Sequence, residues 1–304
     1  MVFNKLILIG LALIFSSLAS AQDFDSFFKP SDSLNPQRRN LTIGIAAGSA
    51  VGGLVALNSL WYKDYQKSSF HFINDNAQWL QMDKVGHGYG TYHLSKFSSD
   101  ALRWSGVDSK QSLWYGAATG FVVISAIEIM DGYSAKWGAS VGDLAANFVG
   151  SATFAGQELL WNEQRIIPKF SFSSTTYAAA RPDVLGKSYQ EQILKDYNGQ
   201  TYWLSANIHS FAKNSKIPKW LNVAVGYGAE GMITGDDVLV NTVFLPADHR
   251  YRQYFISLDV DMTKIPTKSH FLQTVFSIVN TIKIPAPTVE FTSDGKTKFH
   301  GIYF

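Results

Sequence analysis

The sequence predicts an α+β protein: an N-terminal apolar bundle of about four helices, followed by a mainly β C-terminal region with one or two helices. Three observations carry that expectation. Between residues 41 and 161 the apolar residues fall in long runs separated by helix-start and helix-stop signals. After Pro168 the runs shorten, and β-branched and aromatic side chains begin to alternate with polar ones. Of the 304 residues, 46% are apolar, 16% charged and 14% aromatic, a balance that suits an envelope protein in contact with lipid better than a soluble enzyme. The formal charge of +2 gives no sign of a nucleic-acid partner.

Residues 1–21 have the pattern of a secretory signal peptide. Lys5 precedes an apolar core from Leu6 to Phe15, and the small residues Ala19-Ser20-Ala21 follow. The core is short for a membrane anchor. Residues 22–40 are polar and turn-rich and read as an exposed leader. The sequence contains no cysteine, so it offers neither a disulfide nor a lipid-bearing thiol.

Residues 41–164 make the helical unit. Leu41 to Leu60 runs without a charge and is rich in Gly and Ala, which suits either a membrane span or a buried bundle helix. A second helix is expected from Asp83 to Trp104. The third, QSLWYGAATGFVVISAIEIM, stops at Asp131-Gly132. The fourth starts after Ser140, with Ser140 as N-cap and Asp143 in the first turn, and runs to Trp161.

Residues 165–304 make the β region. KFSFSSTTYA, QTYWLSANIHSF, WLNVAVGYGAEGM and YRQYFISLDVDMT read as strands, and SDG marks a hairpin near the C-terminus. In YFISLDVDMT, Ser257, Asp259 and Asp261 share one face, while Ile256, Leu258, Val260 and Met262 share the other. HFLQTVFSIVNTIKIP reads as a helix. The aromatic C-terminus, Phe304, is shared with outer-membrane barrels, but the strands are few for a standalone one.

Charge in apolar helices marks the candidate site. Asp83 and His87 lie four apart on one helix face. Glu128 is isolated in an apolar run, with Asp131 three residues on, and Asp143 and Asn147 again lie four apart. A buried ionisable group is costly unless paired or lining a polar cavity. Gly86, Gly88 and Gly90 each cost a helix interior about 1 kcal/mol relative to alanine, which fits a backbone that another helix or a ligand must approach closely. Taken singly, Ser140 and Asp143 suit a helix cap, Asp131 a helix end, His87 a hydrogen-bonded core histidine and Lys84 a surface pair. Together, three such pairs on helices that must pack point to one pocket.

DKVGH followed by EIMDGYSAKWGASVGDLAANFVG resembles the YfiM-like family of predicted periplasmic proteins, and more distantly the VanZ-like membrane proteins. The resemblance spans residues 83 to 150. It departs from the VanZ-like pattern at Asp131, where Gln is favoured, and at Trp137, where a basic residue is common, although Lys136 is adjacent. The resemblance implies an envelope protein acting on a membrane lipid or a lipid-linked phosphate head group. On that expectation His87 is the nucleophile or general base, Asp83 orients it, and Glu128, raised in pKa by burial, is the general acid. Asp143 completes the catalytic set. Lys84, Asp131, Lys136, Ser140 and Asn147 bind the substrate, and Glu128, Asp131, Asp143 and His87 form a donor set for a divalent ion. The expected location is exported: periplasmic, membrane-associated, and at the outer membrane if the β region inserts. A non-catalytic structural or binding role in the envelope is the alternative. The sequence names no protein partner.

Overall fold

Asn35 and Pro36 set the start of the first long helix in a computed structural model that describes residues 21–63, 65–235 and 250–304. The signal-peptide segment at residues 1–20 lies outside the described residues. Asn35 accepts from Arg38 N at 3.0 Å, and Pro36 fills the first helical position, where no amide hydrogen is needed. A short helix α1 (Ala21–Phe28) precedes α2 (Pro36–Leu57), which ends in a π-helical turn to Tyr62. The helix expected from Leu41 therefore begins at Pro36. Two more helices follow, α3 (Met82–Trp104) and α4 (Ser109–Gly132), the latter capped by Asp108. Ser140 accepts from Asp143 N at 3.1 Å and caps α5 (Val141–Trp161) as expected. Two two-residue strands, β1 (Phe72–Ile73) and β2 (Ala139–Ser140), pair in parallel and hold the segment before α3 beside the start of α5.

The centre of the helical unit is α3. Its buried face carries Thr91, His93, Ser95 and Ser99, so polar groups pack where a soluble bundle would place leucine. Close approach makes this workable. A Cβ on Gly150 of α5 would stand 2.2 Å from Gly88 O, and one on Gly120 of α4 would stand 2.7 Å from Thr91 O. Small residues thus bring the backbones of α4 and α5 onto α3. The apolar side chains displaced from this interface point outward: Ile45, Val51 and Val55 on α2, Val122 and Ile129 on α4, and Phe148 and Leu160 on α5 are all exposed. Pro36–Tyr62 and Ser109–Gly132 are long and apolar enough to cross a membrane, by length and composition.

The C-terminal region is a six-stranded antiparallel sheet in sequential order: β3 (Ile166–Phe172), β4 (Gln200–Asn207), β5 (Leu221–Glu230), β6 (Tyr251–Val260), β7 (Ala286–Thr292) and β8 (Thr297–Tyr303). The expected α+β class is therefore the observed one. SDG forms the β7–β8 turn, with Gly295 in the left-handed region at φ 86°. Short helices α6 (Tyr177–Ala180), α7 (Pro182–Leu185) and α8 (Tyr189–Lys195) lie between β3 and β4. Helix α9 (Ile208–Phe211) follows β4, and α10 (His270–Val279) is the helix expected there.

The sheet is polar inside and apolar outside. Lys169 and Asp259, both 0% exposed, pair at 2.8 Å. Ser205 donates to Asp259 at 2.6 Å, Asn207 to Asn222 at 2.7 Å, and Gln253 to Glu290 at 2.8 Å. Trp203, Phe255 and Tyr303 fill the remaining space. Curling brings the two edge segments together, so that Ser173 Oγ donates to Phe304 O. The outward side chains Val225, Ile256, Leu258, Phe299 and Ile302 are exposed.

Helix α3 packs along β3 and β4. Tyr202 fills the space left by the missing Cβ of Gly86, Tyr89 donates to Thr281 O at 3.2 Å, and His93 bonds Pro168 O at 2.7 Å. The segment read as an exposed leader is held to the body. Phe24 and Phe28 meet Phe271 edge-on or tilted, and Asp25 accepts from Ser269 Oγ and from Phe271 N.

Candidate functional site

A left-handed turn aims the start of α3. Trp79, Leu80 and Gln81 have φ of 50°, 48° and 66°, which costs an L-residue about 1–2 kcal/mol each. Tertiary bonds hold the turn: Trp79 N donates to Gly235 O at 2.9 Å, Arg252 donates to Leu80 O at 3.0 Å, and Tyr227 OH donates to the same carbonyl. Strain maintained by surrounding structure is common where side-chain direction matters for function. Here it delivers Asp83, Lys84 and His87 to one place.

Lys84 is ion-paired on two sides, 2.8 Å from Asp75 and 3.0 Å from Asp143. Asp75 also accepts from Ser140 Oγ at 2.6 Å, so the residue that caps α5 is tied into the cluster. Glu128 Oε2 accepts from Ser140 N at 2.8 Å. Tyr197 OH donates to Asp83 at 2.6 Å. His87 Nδ1 lies 3.0 Å from Asn147 Oδ1, which also accepts from Thr91 Oγ1, while Asn147 Nδ2 donates to Ser125 Oγ. That pattern makes Asn147 Oδ1 the acceptor and puts a proton on Nδ1 of His87. The other nitrogen, Nε2, is then the basic one when the ring is neutral. It faces Glu128 Oε1 at 3.7 Å and Asp83 Oδ1 at 3.9 Å, beyond hydrogen-bond reach of either. Glu128 is 3% exposed and its Oε1 has no hydrogen-bond partner among the described residues.

The electrostatics follow from burial against neighbours. Burial opposes charge on His87, but the carboxylates of Asp83, Asp143 and Glu128 outweigh it and hold its pKa above the ordinary imidazole value. Lys84 is also raised, with desolvation outweighed by Asp75 and Asp143. Burial, and then the charge of Asp83, push the Asp143 carboxyl up to about 6 against the pull of His87 and Lys84. Asp75 is held below the usual carboxylate range despite burial, by its bonds from Lys84 and Ser140.

The structure therefore gathers Asp83, Lys84, His87, Glu128, Ser140, Asp143 and Asn147 into one cluster. Asp131 lies one turn beyond Glu128 and accepts from Tyr62 OH at 2.8 Å. Lys136 stands apart: it is exposed, with its ammonium 5.5 Å from the ring centre of Tyr65. Lys84, expected beside a phosphate, is committed to carboxylates. Sequence reasoning missed Asp75, Thr91, Ser125, Tyr62 and Tyr197. Of these, Asp75 and Tyr197 come from loop segments with no periodicity to mark them. For a metal, Asp83, His87 and Asp143 can each offer a ligand atom within 4.8 Å of the others, and this mix of hard oxygens and one imidazole suits a divalent cation. Lys84 Nζ lies 3.0 and 3.3 Å from the two oxygens of Asp143, and Tyr197 already donates to Asp83, so a cation here would compete with both partners.

Residues 71–157 match the model of a family described as predicted periplasmic lipoprotein (DUF2279). The matched stretch holds the helix-borne polar residues of the cluster together with Asp75 and Ser140; Tyr62 and Tyr197 lie outside it. No curated protein and no solved structure matches the chain. The match supports an exported, periplasmic setting. Lipoprotein anchoring uses a cysteine thiol, and this sequence has none.

Proposed function

We propose that the helical unit is an enzyme that modifies a membrane lipid or a lipid-linked phosphate head group at the cell envelope. The observation that carries this reading is a gap in the buried polar cluster: His87 Nε2 and Glu128 Oε1 face each other at 3.7 Å, neither with a hydrogen-bond partner among the described residues. A network built only to fix helix register would be expected to close that gap. The likeness of DKVGH and its downstream partners to YfiM-like and VanZ-like proteins points to the same substrate class.

On this reading His87 Nε2 takes a proton from an attacking hydroxyl, or attacks phosphorus itself. Asn147 holds the ring by Nδ1, and Asp83 favours the imidazolium that forms. Glu128, whose burial disfavours its ionised form, gives its proton to the leaving oxygen. A divalent cation held by the carboxylates of Asp83 and Asp143 would offset phosphate charge and leave His87 Nε2 free to take the proton. The substrate reaches the cluster past Asp83, whose side chain is 28% exposed against 13% for His87.

The test is lipid profiling by mass spectrometry in a strain lacking the protein, complemented with wild type, His87→Ala or Glu128→Gln. Protein level and fractionation are followed in parallel. The expected result is a lipid or lipid-linked intermediate that accumulates in the deletion and that the folded variants fail to restore. Unchanged profiles, or full restoration by either variant, would reject the enzymatic reading in favour of a structural network.

A further inference from the structure

We propose that the outer face of the C-terminal sheet, where α3 leaves it uncovered, rests on the hydrocarbon of an anionic bilayer, with a basic and aromatic belt at one strand end seated among the head groups. This inference is independent of the catalytic reading. In a water-exposed sheet the apolar face turns inward and the polar face outward. This sheet does the reverse, and its inward polar groups are paired with one another rather than left for solvent. Along β6, Tyr254, Ile256 and Leu258 are exposed on the outer face, while Gln253, Phe255, Ser257 and Asp259 are buried on the inner one. The uncovered part of the face continues on β5, β7 and β8: Val223, Val225, Phe291, Phe299 and Ile302 point outward and are exposed, a register shift between β7 and β8 separating Phe299 from Ile302, while α3 packs on the outer face of β3 and β4. An apolar-out, polar-in sheet is the pattern that lipid selects.

Charge complementarity identifies the lipid. The β4–β5 connection, HSFAKNSKIPKW, carries His209, Lys213, Lys216 and Lys219 within eleven residues, with Phe211 and Trp220 exposed among them. His209, Lys213, Lys219 and Lys264 line a cavity of about 340 Å³, with Glu163 as its one carboxylate. Nδ1 of His209 is buried there without a hydrogen-bond partner among the described residues. Arg165 stacks on Trp161 and Phe211 at the same end. Aromatic rings and lysines next to an apolar band are the composition of a membrane interface, and the surplus of cations in the cavity suits a phosphate head group. The same fold also leaves apolar side chains of α2, α4 and α5 exposed.

The absence of cysteine makes the test direct, because one introduced thiol is the only labelling site. The full chain carrying Val225→Cys, Ile256→Cys or Ile302→Cys is labelled with an environment-sensitive dye and mixed with vesicles of phosphatidylglycerol and phosphatidylcholine, or of phosphatidylcholine alone. Lys187→Cys, on an exposed loop, is the reference. Acyl-chain spin labels should quench the three sheet positions and not the reference. Lys213→Glu with Lys219→Glu should weaken binding to the phosphatidylglycerol vesicles by about tenfold or more, and binding to phosphatidylcholine far less. Retained secondary structure of each variant is checked by circular dichroism. Sheet labels that stay open to aqueous quenchers on vesicle-bound protein would overturn the proposal. So would labels shielded only by self-association, or charge reversal without effect on the anionic vesicles.

Discussion

The two nitrogens of His87 have unlike settings: Nδ1 is held by Asn147, and Nε2 stands between two carboxylates without a bond. Because those carboxylates raise the imidazole pKa, the stability His87 contributes is fully present below about pH 6.5, its unfolded value, and is lost as pH rises through the higher folded value. Its ring proton, followed by NMR, should titrate above the ordinary imidazole value, and Asp83→Asn should move the midpoint down. A midpoint unchanged by that substitution would mean that Asp83 does not govern the ring. At this scale much was legible. The spacing of Asp83 with His87 and of Asp143 with Asn147 put each pair on one face, and their convergence followed once the helices packed. Tyr197 was not legible, because it reaches Asp83 from the other half of the chain, 114 residues away. Nor was the pairing of Lys84, since its partner Asp75 sits in an irregular segment.

Helix α3 depends on glycine both in itself and in its neighbours. Gly150→Ala would set a methyl group 2.2 Å from Gly88 O, where only backbone movement can relieve the clash. Overpacking of this kind costs about 1–3 kcal/mol, so chemical denaturation should show a loss of that size. The His87–Asn147 contact should loosen with it. A neutral result would mean that α3 and α5 are not held this close. Helix and strand order could be read from apolar run length and alternation, and the cap at Ser140 from residue type, whereas the cap at Asn35 fell inside the segment read as a leader. The left-handed turn at Trp79-Leu80-Gln81 could not, because it has no glycine or asparagine to announce it and is imposed by Gly235, Tyr227 and Arg252.

For the whole molecule, alternation in YFISLDVDMT showed which side chains share a face but not which face turns inward. That choice depends on the medium outside the sheet, which local sequence does not reveal. The outcome places Asp259 between Lys169 at 2.8 Å and Lys283 at 3.9 Å, all with fully buried side chains. Asp259→Asn would leave two buried ammonium groups without their shared counter-ion, and breaking such a pair costs about 3–5 kcal/mol. Thermal unfolding of the variant should show that loss. A much smaller one would indicate that water reaches the sheet interior.

The bond between Asp25 and Ser269 closes a separation of 244 residues, and Phe24 and Phe28 depend on Phe271 in the same region. Helix α1, among the first described parts of the chain to be synthesised, thus has its docking surface near the last. It must wait, uncovered, while the helices and most of the sheet are made and exported. Its docking can only be a late event of maturation, and until then the nascent chain presents an unprotected aromatic segment to the chaperones and proteases of the envelope.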